Sequence, residues 1–132
     1  MTDTTAPRRR ERPLSPHLQI YKPQMTTILS ILHRICGFAL AIGTGLVVCL
    51  LLAAATGEEA YDKIMAFCSS PLGKLMIFGW SVAFYYHLSN GIRHLIWDTG
   101  RLFKIENATL AGAFVLVLTG ALTAYTWWSI SR

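Results

Sequence analysis

Two histidines, an arginine and an aspartate stand in the segment YYHLSNGIRHLIWD, residues 85–98, at the end of a long apolar run. A neutral imidazole can give one ring nitrogen to a metal while the other hydrogen-bonds a neighbour, so His87 and His94 are the first candidates for ligand chemistry. Seven residues put them on nearly the same face of a helix but about 10.5 Å apart along its axis. They cannot therefore share one metal ion. Gly91, one turn after His87, leaves that face without a side chain where a flat macrocycle could approach.

A second polar group lies earlier in the chain, in SILHRICG, residues 30–37. Ser30 and Arg34 are one helical turn apart and share a face, with His33 beside them. If His87 held a haem iron, His94 could face a propionate, and Arg93 or Arg34 could pair with the propionate carboxylates through charge-assisted hydrogen bonds. Ser30 and Arg34 could equally hydrogen-bond a carbonyl ligand. The same residues also have plain structural readings. Serine caps helix starts, arginine snorkels to an interface, and a lone histidine can bond a neighbouring helix.

The elements that must carry these residues are apolar. The 132-residue chain is 53% hydrophobic and only 14% charged, which is a membrane composition. Residues 35–55 hold no charge, and at 1.5 Å per residue they span roughly 31 Å, about the thickness of a hydrocarbon core. Residues 72–97 form a second run, interrupted by Lys74 and by the polar motif, and residues 108–130 form a third. Backbone groups cannot be left unpaired in lipid, so the expected fold is all-α, an integral membrane protein with three transmembrane helices at about 28–55, 72–98 and 108–130. Residues 1–27 read as an N-terminal arm. Ionisable groups within such helices mark functional sites and usually face the bundle interior.

Charge sets the expected orientation. Arg8, Arg9, Arg10, Arg12 and Lys22 precede the first helix, and Arg101 and Lys104 lie between the second and third, whereas the first loop holds Lys63 against Glu58, Glu59 and Asp62. The arm and the second loop are thus expected in the cytoplasm, with the first loop and the C-terminus outside. The net charge of +5 follows from this topology and not from nucleic-acid binding. No signal-peptide cleavage pattern or convincing transit peptide is evident, so the mature chain is expected to begin near Met1, in a bacterial inner membrane in preference to a mitochondrial one. Cys36, Cys49 and Cys68 show neither CxxC nor zinc spacing and read as packing residues. Gly43, Gly45, Gly112 and Gly120 are expected to let helices approach closely. Phosphate-binding loops and dinucleotide fingerprints are absent from the sequence.

Three blocks in order, RPLSPHLQIYKP (residues 12–23), SILHRICG (30–37) and HLSNGIRHLIWD (87–98), resemble the cytochrome b membrane-anchor subunits of succinate dehydrogenase, respiratory complex II. The resemblance spans nearly the whole chain. It implies that His87 is an axial ligand of haem b, with the second ligand supplied by a partner anchor subunit. It implies further that Ser30 and Arg34 lie at a ubiquinone pocket and His33 near a haem propionate; the reading of the residues themselves adds Arg34, Arg93 and His94 to the propionate surroundings. Cys36 stands where many relatives have serine or threonine. Flavin and iron–sulfur chemistry would belong to soluble flavoprotein and iron–sulfur subunits docked on the cytoplasmic face, where the arm could touch them. The chain would support electron transfer from succinate to ubiquinone without oxidising succinate alone. The competing reading is a small polytopic transport subunit in which His87, Arg93 and His94 line a proton or ion path.

Overall fold

The structure, a computed structural model, describes residues 22–132. The arm up to Tyr21, including most of RPLSPHLQIYKP, lies outside the described residues. Four helices follow: α1 (Met25–Thr56), α2 (Glu58–Ser69), α3 (Pro71–Asp98) and α4 (Ile105–Ile130). Among the described residues every regular element is helical.

To the three expected long helices the structure adds α2, 12 residues and too short to span a membrane, which occupies most of the first loop. Gly57 separates it from α1, and its φ of 142° lies where only glycine is comfortable. The Gly57 N–H still closes the last turn of α1 on the Ala53 carbonyl, 3.1 Å away. Glu58 and Glu59 open α2, where negative charge complements the helix N-terminus. Ala60, Ile64 and Cys68, four residues apart, turn its less exposed stripe inward. A serine cap then starts α3: Ser70 Oγ accepts from the Gly73 N–H at 3.1 Å, with Pro71 in the first turn.

Helices α1 and α4 are long and apolar enough to cross a membrane. The 28 residues of α3 also exceed the need, but its polar block lowers its hydropathy. Its side chains resolve the conflict by direction. Ser89, Asn90 and Arg93 are buried within the protein, whereas Phe84, Leu88, Ile92 and Leu95 face outward. Polar inside and apolar outside suits a lipid solvent. The other helices agree, since Phe38 on α1 is 71% exposed and Phe114 on α4 is 64% exposed.

Helix α3 is the centre, packed antiparallel against both α1 and α4. Leu29, Tyr86 and Val115, one from each long helix, form the buried apolar cluster, with Met25 and Cys36 against it. Tyr86 satisfies its hydroxyl by donating to the Leu29 carbonyl at 2.7 Å. At the other end of the bundle Trp127 Nε1 donates to Ser81 Oγ at 3.0 Å, and the Tyr85 and Thr126 hydroxyls lie 2.7 Å apart. The glycine expectation divides. A Cβ on Gly43 would strike the Trp80 ring and one on Gly112 would lie 2.5 Å from Leu29 Cδ1, so both sit at close approaches. Gly45 and Gly120 have nothing within 4 Å of that position and serve no packing role among the described residues.

Candidate functional site

One end of the bundle, where α1 and α4 begin and α3 finishes, collects the polar residues. Eleven residues before the end of α3, or about 16 Å, His87 turns toward α1. Its Nδ1 lies 3.1 Å from the backbone carbonyl of His33. A carbonyl only accepts, so Nδ1 carries a proton, and in the neutral imidazole Nε2 then keeps its lone pair. That is the tautomer a metal requires, with the ring oriented by its other nitrogen. The His33 ring stacks on that of His87, 3.9 Å between centroids and 6° from parallel. Room for the imidazole comes from Gly37: a Cβ there would lie 2.9 Å from His87 Cε1.

His94 joins the same group, its ring centroid 5.1 Å from that of His33. Asn90 lies between Arg93 and His94 on one helical face, at i+3 and i+4 respectively. Arg93 donates to Asn90 Oδ1 at 3.3 Å and to the Ala108 carbonyl at 3.1 Å, and its guanidinium sits over the Trp97 ring. Arg93 is thus 2% exposed and ties α3 to the first turn of α4. Three polar atoms at this end, His33 Nδ1, Arg93 Nε and Trp97 Nε1, are enclosed without a partner among the described residues. Buried polar atoms are normally paired, so three unpaired ones at one end of the bundle depart from the usual pattern.

Ser30 and Arg34 occupy the α1 face beside His33. Ser30 is half-buried and Arg34 is exposed, and neither hydrogen-bonds within the described residues. The structure therefore brings His33, His87 and His94 together, with Arg93 behind them against α4 and Arg34 exposed in front. Between His94 and Arg93 stands Asn90, and the Arg93 guanidinium is also held by the Ala108 carbonyl of α4. Gly91 faces His33, whose Cε1 would be 3.7 Å from an added Cβ. Sequence reasoning passed over Gly37 and Asn90. Asn90 was accessible to it, since it shares the face of His87 and His94, but the partner of Gly37 is on another helix.

The family model described as succinate dehydrogenase/fumarate reductase transmembrane subunit matches residues 8–126. The chain belongs to this family. Similarity to individual members is also extensive. The chain is 39% identical over 117 residues to the succinate dehydrogenase cytochrome b556 subunit of Rickettsia prowazekii, covering 89% of this chain and 91% of the relative. It is 40% identical over 116 residues to the cytochrome b556 subunit of Paracoccus denitrificans, covering 83% and 89%. The cytochrome b560 subunit of Reclinomonas americana is 39% identical over 121 residues, covering 88% and 84%. This succinate dehydrogenase/fumarate reductase transmembrane subunit is therefore a membrane component of a respiratory complex, consistent with its apolar exterior.

Beyond the polar end, an apolar cavity of about 590 Å³ runs between α1 and α3 toward α2. Ala83, one turn before His87, and Ala39, two residues after Gly37, begin it, and Gly43, Gly79 and Trp80 continue it. In this transmembrane subunit the apolar hollow thus begins about one turn of α3 from His87.

Proposed function

We propose that the chain is the cytochrome b membrane anchor of a succinate:ubiquinone oxidoreductase, sharing one haem b with a second anchor subunit and forming part of the ubiquinone site. The observation that carries the reading is the His87 imidazole, held by the His33 carbonyl with its Nε2 lone pair unused. The residues fit the group: an oriented nitrogen donor, a glycine notch, unpaired polar atoms on one side and an apolar hollow on the other. Haem b, when bound, supplies a one-electron carrier within the membrane. His87 would ligate it, His33, His94 and Arg34 would surround its carboxylates, and Arg93 would support them from behind. Ser30 and Arg34 would hydrogen-bond a quinone oxygen, where a guanidinium stabilises the negative charge that reduction develops. Succinate oxidation belongs to the flavoprotein and iron–sulfur subunits on the cytoplasmic face. A purified complex tests the reading directly: it must show reduced-minus-oxidised b-type absorbance together with these subunits, and a complex without that absorbance overturns it.

Gly37→Ala checks the seat of the ligand. The added methyl must displace the His87 ring, so haem content should fall or the spectrum change, while Gly45→Ala, in open space, should alter neither. Normal spectra for both variants would remove Gly37 from the site. Orientation is a separate proposal, resting on the loop lysines and arginines. A reporter active only in the cytoplasm is expected to work when fused near Glu106 and to fail after Arg132. The reverse pattern would put the polar end on the opposite side of the membrane.

A further inference from the structure

Asn90 has the most enclosed side chain among the described residues, at 0% exposure, yet nothing in the proposed function uses it. Its neighbours determine the direction of every hydrogen bond it makes. A guanidinium can only donate, so the oxygen of the amide faces Arg93 and the NH2 faces His94. The reversed amide would set donor against donor. Because Nδ2 donates, His94 Nε2, 3.3 Å away, must be the acceptor and cannot carry a proton. The imidazole is then neutral and its proton is on Nδ1. That Nδ1–H makes no hydrogen bond within the described residues, and the ring is half-buried beside His33 at the polar end of the bundle. The Arg93 guanidinium is itself held by the Ala108 carbonyl, so this polarity is anchored on α4.

We propose that Asn90 is a positioning residue that fixes His94 as a neutral imidazole offering its Nδ1–H to an oxygen acceptor outside this chain. The acceptor chemistry is a carboxylate or carbonyl oxygen, available from a haem propionate or from a quinone. The proposal rests on the haem and quinone reading for the acceptor, but not for the tautomer.

Asn90→Asp is the informative change. It keeps the size and still accepts from Arg93, but a carboxylate has no hydrogen to give, so His94 Nε2 must become the donor. Nitrogen NMR of the histidine-labelled complex reads this directly, with the His94 signals identified by their loss in His94→Gln. The native complex should show His94 protonated on Nδ1 alone, and Asn90→Asp should show a proton on Nε2. Haem content and succinate oxidation with a soluble acceptor confirm assembly. A changed haem midpoint potential at unchanged quinone KM identifies a propionate. A rise in quinone KM of roughly 2- to 13-fold, the worth of one neutral hydrogen bond, identifies the quinone. A native His94 protonated on Nε2 overturns the proposal even if the variant fails to assemble. So does a variant whose tautomer changes while potential and KM both stay fixed. A native complex lacking haem and quinone reduction would instead defeat the functional reading and leave the tautomer result standing.

Discussion

Alanine at position 87 is expected to abolish the low-spin b-type spectrum of the assembled complex, leaving either no haem or haem with one axial ligand missing. Among the described histidines His87 alone has a ring nitrogen fixed by a backbone carbonyl, with the Nε2 lone pair left over. Removing a ligand is not a graded loss, because the coordination number changes and with it the spin state. Two comparisons sharpen the result. His94→Ala should preserve low-spin ligation, since His94 lies about 10.5 Å further along α3. His33→Ala should perturb the spectrum less than His87→Ala, because the group that orients His87 is the main-chain carbonyl of His33, which the substitution retains. It removes the stacked ring and not the acceptor. An unchanged low-spin spectrum in His87→Ala, measured by absorbance and electron paramagnetic resonance on complexes of verified subunit content, would refute the assignment.

Replacing Arg34 with alanine is expected to lower quinone reduction by roughly 10- to 150-fold, the full worth of about 1.5–3 kcal/mol for a hydrogen bond from a charged group felt in the transition state. Ser30→Ala should cost less, roughly 2- to 13-fold, since a neutral hydrogen bond contributes about 0.5–1.5 kcal/mol. Arg34 is exposed and makes no hydrogen bond within the described residues, so its removal unpairs no group among them. Arg93 is the instructive contrast. It is buried against Asn90, Ala108 and Trp97, and its truncation would unpair groups inside the bundle. Succinate oxidation by a soluble acceptor should be untouched in the Arg34 and Ser30 variants, because that chemistry lies upstream. Haem content must be measured in Arg34→Ala, since the same guanidinium stands near the proposed propionates. Normal quinone reduction by both variants with full haem would remove this face of α1 from the quinone site.

Much of the architecture was legible in the chain. Uncharged runs as long as a bilayer is thick can satisfy their backbone only as helices, so composition and length sufficed for the long helices. The short α2 was hidden because its acids and lysine were read as loop charge, although Gly57, the Glu58–Glu59 start and the Ala60, Ile64, Cys68 spacing were all present. Spacing along α3 separated His87 from His94, because distance along one helix follows from residue count alone. Nothing in the sequence distinguished Arg93 from Arg34. Both are arginines near a membrane interface, yet one is sealed against α4 and the other faces out of the chain. The His87 tautomer, the Gly37 notch and the Asn90 polarity likewise required the packed helices. Each depends on where a side chain of α3 meets a carbonyl, a missing Cβ or a guanidinium brought near by folding, and periodicity along one helix carries no information about the register of its neighbour.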